Sequence, residues 1–189
     1  MSSNLERTAL ISAYCKDGLE EFAAGLVQLG WKIVASGGTA EALRNADIQV
    51  IPTSEITGIV SLLGGRVKTL HPQLHAAILA TGEQRREMSL QGDIVFDLVA
   101  VDLYPFHETS GMDPDDPELV ELIDIGGVTL LRAAAKNHAH VAAVPGPEFY
   151  PELIAELDRS GAIGEDTRLR LARRVFAITS EYDLSLIHI

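Results

Sequence analysis

The chain has 189 residues, 47% of them hydrophobic, with 27 acidic against 15 basic side chains for a formal net charge of -12. That is too apolar for a disordered chain, ample for one buried core and short for two. The acidic balance argues against nucleic acid, whose phosphates want a basic face, and the lack of any 18-residue apolar run argues against a membrane span.

The apolar run Thr8–Ala13 reads as a first strand. From Leu19, the residues Phe22, Ala23, Leu26 and Leu29 recur at helical spacing, and Gly30 stops that helix. A second strand, Trp31–Ala35, runs straight into SGGTAEALRNA, where Thr39 reads as the cap of the next helix. Ile48–Pro52 supplies a third strand, and Phe96–Pro105, the most apolar of all, a fourth that Pro105 ends. A helix over Val128–Asn137, a strand over His140–Val144 and helices around Pro147–Arg159 and Thr167–Leu186 complete the pattern. Such alternation predicts an α/β fold, a mostly parallel sheet with helices on both faces. The long connections 52–65 and 107–117 are where a site is expected.

With Cys15 alone, neither an internal disulfide nor a cysteine-built metal site is available, which fits a reducing, cytoplasmic setting. The start, MSSNLERTALIS, does not read as a secretory leader, and no repeat or linker divides the chain, so one domain over 1–189 is expected. The abrupt apolar ending LSLIHI suggests a natural chain that continues.

Four clusters carry chemistry. In VASGGTAEAL a strand delivers Ser36, Gly37, Gly38 and Thr39 to a helix start, where free backbone N–H groups, two hydroxyls and the helix dipole favour an anion. The bland alternative is a Gly-Gly turn with a capping threonine. Ser12 and Lys16, at the end of the first strand, would lie beside this cradle if the strands are neighbours. In GGRVKTLHP, an extended RVK would turn Arg66 and Lys68 to one side, with Thr69 following; the alternative is a solvated basic loop. His71 and His75 lack a carboxylate or cysteine at ligand spacing, so structural or substrate-edge roles are preferred to a metal. In IDIGGVTLLRAAAKNH, Asp124 precedes Gly126 and Gly127 at a helix start, and Arg132 and Lys136 share a face at i, i+4. Those charges could bracket a reacting group or merely complement the helix dipole. VDLYPF ends the apolar strand with Asp102 and Tyr104, either a tyrosine packed on a proline or a hydroxyl placed at a strand's carboxyl end.

Taken in order, ASGGTAEAL, GGRVKTLHP, LYPF and DIGGVTLLRAAAKNH closely resemble the signatures of the inosine-monophosphate (IMP) cyclohydrolase domain of the bifunctional purine-synthesis enzymes, over about Thr8 to Tyr182. The resemblance implies a methylglyoxal-synthase-like, doubly wound sheet. It also implies a larger aminoimidazole-carboxamide ribotide (AICAR) transformylase domain, absent from this chain and present either covalently or as a separate partner; a homodimer is compatible with it. The implied reaction is closure of the formamido ribotide (FAICAR) to IMP, with no metal or cofactor. By resemblance, Lys68, Tyr104, Asp124 and Lys136 are the catalytic groups. Asp124 would orient the carboxamide and take its proton, and Lys136 would stabilise the oxyanion and protonate the departing oxygen. Ser12, Lys16, Ser36, Gly37, Gly38, Thr39, Arg66 and Thr69 would hold the ribose phosphate and ring, and Gly126 and Gly127 would lend backbone N–H groups.

Two places in the chain depart from the family pattern, the first loop and Asp102. The first loop reads SAYCKDG rather than Ser-Val-Ser-Asp-Lys-Thr-Gly, which puts Tyr14 in place of a small hydroxyl and adds Asp17. Asp102 stands where the family usually has Asn; beside Tyr104 it would repel an oxyanion unless paired, and Lys68 or Arg66 are its expected partners. The rival readings are a non-catalytic nucleotide-binding regulatory domain of this fold, which needs the cradle but not the Lys68, Tyr104, Asp124 and Lys136 quartet, and a methylglyoxal synthase, which shares the cradle but does not have DIGGVTLLRAAAKNH as its signature.

Overall fold

A computed structural model describes residues 7–104 and 117–187. Five parallel strands, β1 (Thr8–Ala13), β2 (Lys32–Ala35), β3 (Ile51–Pro52), β4 (Leu98–Asp102) and β5 (Ala142–Val144), form one sheet in the order β3-β2-β1-β4-β5. The chain starts at the centre, winds outward to β3, then returns to the other side of β1, which is the doubly wound pattern. Ile11 pairs with Ala35 on one side and Ala100 on the other.

Side chains alternate across the sheet because successive Cβ atoms of a strand point to opposite faces. Ala9, Ile11, Ile33, Leu98, Ala100 and Val144 enter one core, against Phe22 and Leu26 of α1 (Leu19–Gln28), Leu43 of α2 (Gly37–Asn45) and Leu153 of α8 (Tyr150–Ser160). Leu10, Val34, Val99, Val101 and Ala143 enter the other. They meet α4 (Pro72–Leu79), α7 (Gly126–Lys136) and α9 (Glu165–Leu186). Fully buried Phe22, Phe96, Leu10 and Ile11 each contribute about 1.5–3 kcal/mol by leaving water.

The structure trims or corrects several expectations. Leu29 lies past the end of α1 and is exposed, because Gly30 at φ 81 turns the chain away before another helical turn forms. Only Ile51–Pro52 of the third expected strand pairs. Segment 52–65 contains a short helix, α3 (Thr53–Thr57), and α4, α5 (Gly82–Gln91) and α6 (Pro117–Glu121) were not anticipated. α4 starts at Pro72 behind His71, whose Nδ1 accepts from the Gln73 N–H at 3.3 Å, so His71 serves as a helix cap. β4 ends at Asp102; Pro105 and the connection 107–116 lie outside the described residues.

Candidate active site

Because β2 and β4 flank β1 while the chain reverses between them, their carboxyl ends open into a crevice at the switch point, where α/β sheets bind ligands. A cavity of about 890 Å3 lies there. Its wall is built from five stretches: Ser12–Lys16 at and past the end of β1, the start of α2 after β2, Asp102 and Tyr104 at and past the end of β4, the segment around 63–70, and 120–127 leading into α7.

α2 begins at Gly37, one turn earlier than Thr39 would set it, and Ser36 is its N-cap without a side-chain cap bond. Gly37 holds φ 54, a left-handed conformation that glycine adopts freely, and Lys68 Nζ lies 3.6 Å from where its β-carbon would stand. Thr39 is therefore inside the helix, not its cap. Its Oγ1 accepts the Ala13 N–H at 3.0 Å and donates to the Ala13 carbonyl at 3.2 Å, locking α2 onto the end of β1. Thr39 lines the cavity as a strut whose hydroxyl proton is already spent.

Lys16 bends back on its own loop, donating to the carbonyls of Ala13 and Tyr14. Burial lowers its pKa, while the nearby Asp102 opposes that shift. Asp102 is paired, but with neither Lys68 nor Arg66: its Oδ2 accepts the Cys15 N–H at 2.7 Å, its carbonyl accepts the Tyr14 N–H at 3.3 Å, and Lys16 is the cation that acts on it. Burial is the largest influence and raises its pKa. Tyr14 packs edge-on against Tyr104 at 4.5 Å between ring centroids, so the departure in the first loop touches the expected catalytic tyrosine.

On the opposite wall, Asp124 Oδ1 accepts the Gly127 N–H at 2.7 Å, and its own N–H donates to the Tyr182 hydroxyl at 2.7 Å. Burial raises its pKa; the Gly127 N–H and the charge of Lys68 pull the other way. The glycine pair is a packing requirement. A β-carbon at Gly126 would overlap the hydroxyl of buried Thr69, and one at Gly127 would overlap the Asp124 carboxylate and approach Leu103 Cδ2 at 2.9 Å.

Of the expected catalytic quartet, Lys68, Tyr104 and Asp124 border one cavity, together with Ser12, Lys16, Ser36, Gly38, Thr39, Arg66, Thr69, Asp102, Gly126 and Gly127. Gly37 backs Lys68. Lys136 is not brought there: it is exposed and closes α7, ten residues beyond the glycine that opens the helix at the cavity, or about 15 Å along its axis. Its i, i+4 neighbour Arg132 instead lies over the Phe176 ring, 5.6 Å from the centroid. Arg66 has helical backbone angles (φ -60, ψ -31), so RVK is not extended, and its guanidinium grips Glu121. The partners Tyr182 and Glu121 escaped the sequence reading, since no spacing links residue 182 to 124 or 121 to 66.

Residues 18–129 match the MGS-like domain family. The chain belongs to that family. Residues 134–189 of this MGS-like protein match the AICARFT/IMPCHase bienzyme family. It is 48% identical over 181 residues to the bifunctional purine biosynthesis protein PurH of Myxococcus xanthus, covering 94% of this chain and 35% of that one. PurH of Desulfitobacterium hafniense is 45% identical over 182 residues, covering 95% of this chain and 35% of that one. A crystal structure of ForH, 35% identical, covers 96% of this chain and 97% of its own with a TM-score of 0.82. The match to the cyclohydrolase part of PurH thus holds, and the MGS-like chain spans about a third of the length of those PurH relatives. Among its described residues no helix is long and apolar enough to cross a membrane.

Proposed function

We propose that this MGS-like domain is an IMP cyclohydrolase, closing the FAICAR ring to IMP in the cytoplasm, with an AICAR transformylase as covalent or separate partner. The observation that carries the reading is the meeting of Lys68, Tyr104 and Asp124, from three separate segments, in one cavity fronted by the N-termini of α2 and α7.

Nucleophile and electrophile belong to one substrate, so the work is positioning and charge. The α2 N-terminus, Ser12, Ser36, Lys16 and Arg66 seat the ribose phosphate, with the dipole, N–H groups and guanidinium favouring the dianion. Asp124 holds the carboxamide against the formyl group. As the carboxamide nitrogen attacks the formyl carbon, the C–N bond forms, the carbonyl electron pair moves onto the formyl oxygen, and Asp124 takes a proton from nitrogen. Lys68 and Tyr104 face the growing oxyanion, assisted by the N–H groups that open α7. Lys68, rather than Lys136, donates to that oxygen. The formamide nitrogen then gives its proton to the Lys68 amine, the C=N bond forms as the C–O bond breaks, and the hydroxyl takes the proton held by Asp124 and leaves as water, which restores both side chains.

Purified chain mixed with FAICAR and followed by the absorbance of the inosine product tests this. Turnover is expected for the parent chain, with losses of about 10²-fold or more for Asp124→Asn and Lys68→Met. A parent chain that binds the ribotide without converting it would replace the enzyme reading with that of a regulatory nucleotide-binding domain.

A further inference from the structure

Arg66 and Glu121 both border the cavity, yet each belongs to a different wall. Arg66 lies at the end of a tight turn closed by the Leu62–Val67 antiparallel bridge. In that turn Leu63, Gly64 and Gly65 all have positive φ, at 53, 67 and 107. A leucine in the left-handed region is strained. The turn thus throws the guanidinium across the cavity mouth, where its Nε donates to Glu121 Oε2 at 2.9 Å and its Nη2 to Glu121 Oε1. Glu121 is the last residue of α6, on the segment that leads to Asp124. Both side chains are more than half exposed, so this is a clasp at the rim and not a buried structural pair.

A guanidinium fork accepts a carboxylate and a phosphate in the same two-pronged geometry, and one edge cannot serve both at once. We propose that Glu121 sets the affinity of this cavity for phosphate monoesters: its carboxylate occupies the Arg66 edge in the empty site, and an incoming phosphate monoester must displace it. This rests on the ribotide reading above, and it makes Glu121 a positioning residue that acts through Arg66. The pairing is mutual, since Arg66 holds the Glu121 carboxyl below its ordinary pKa. The carboxylate is therefore charged, and competing, throughout the neutral range. An exposed pair is weak enough to open on binding, so the clasp tunes affinity without closing the site.

The test uses ribose 5-phosphate as probe and calorimetry on the full chain, with Glu121→Gln, Arg66→Gln and the double variant. Glu121→Gln is expected to bind the probe about two- to five-fold more tightly than the parent chain, as release of an exposed ion pair allows. The gain should vanish when Arg66 is already Gln. A merely structural role for Glu121 would weaken binding instead. Unchanged or weaker binding in Glu121→Gln overturns the proposal, and so does an equal gain on the Arg66→Gln background, which would mark a general field effect. If the parent chain binds no ribose 5-phosphate at all, the ribotide reading falls together with the clasp. If it binds the probe and closes FAICAR but Glu121→Gln gains nothing, the clasp alone falls.

Discussion

Asp124 and Gly127 are fitted to each other: the carboxylate takes the Gly127 N–H at 2.7 Å and fills the space that a β-carbon there would need. The bond pins the carboxyl group at the entrance of α7, and the missing side chain is the condition for it. Gly127→Ala must therefore push the carboxylate out or shift the helix, with Leu103 Cδ2 only 2.9 Å from the new carbon. A stability loss of about 1–3 kcal/mol is expected from the overpacking, and turnover of FAICAR should fall further than that loss accounts for. Thermal unfolding and steady-state rates on the same preparation would separate the two; a variant with parental turnover would show that the position of Asp124 is not critical.

The acid limb of the rate profile should report Asp124. Burial raises its pKa above the ordinary 3.8, and a group that accepts a proton must be ionised to act. Activity is thus present above the raised value and lost as pH falls through it. A kcat/KM profile whose acid limb lies at or below 3.8 would exclude Asp124 as the group that takes the proton.

Asp102 makes an opposite statement about stability. Its folded pKa is raised, chiefly by burial, so the folded chain binds this proton more readily than the unfolded one. Its contribution is fully favourable below 3.8 and is lost as pH rises through the raised folded value. At neutral pH the charged carboxylate therefore costs stability. Asn keeps an oxygen for the Cys15 N–H, so Asp102→Asn should raise Tm at pH 7 and flatten its pH dependence. Solvent screening at this half-exposed group keeps the gain small, about 1–3 °C. A lower Tm in Asp102→Asn would show that its charge, paired with Lys16, is stabilising instead.

Tyr182→Phe removes the acceptor of the Asp124 N–H and keeps the ring in its core. The loss should be about 1 kcal/mol of stability, with a several-fold drop in kcat and a smaller change in KM, because the hydroxyl positions Asp124 and does not touch substrate. Equal changes in both constants would point to a direct contact.

The fold was legible where periodicity is strict. Thr8–Ala13 and the Phe22, Ala23, Leu26 face are local patterns that the tertiary structure only had to accept. The site was legible as a set of segments, because glycines beside strand ends announce close approach. Its bonds were not: Thr39 reads as a cap in one dimension, but with Gly37 and Gly38 drawn into the helix its hydroxyl faces Ala13. Nor does the motif show that Lys136 stands ten residues beyond Gly126, at the far end of the eleven-residue helix α7, since letters in a row carry no distance. Arg66 and Glu121 meet only because two loops cross the same mouth.

The bond between Asp124 and Tyr182 joins the pocket to the C-terminal end of α9, 58 residues further along the chain. A ribosome delivers all five strands before this anchor, so the sheet can form while the pocket still lacks its brace. A chain cut short of residue 182 should keep most of its sheet and have an untethered Asp124, so the site waits on α9 while the sheet does not.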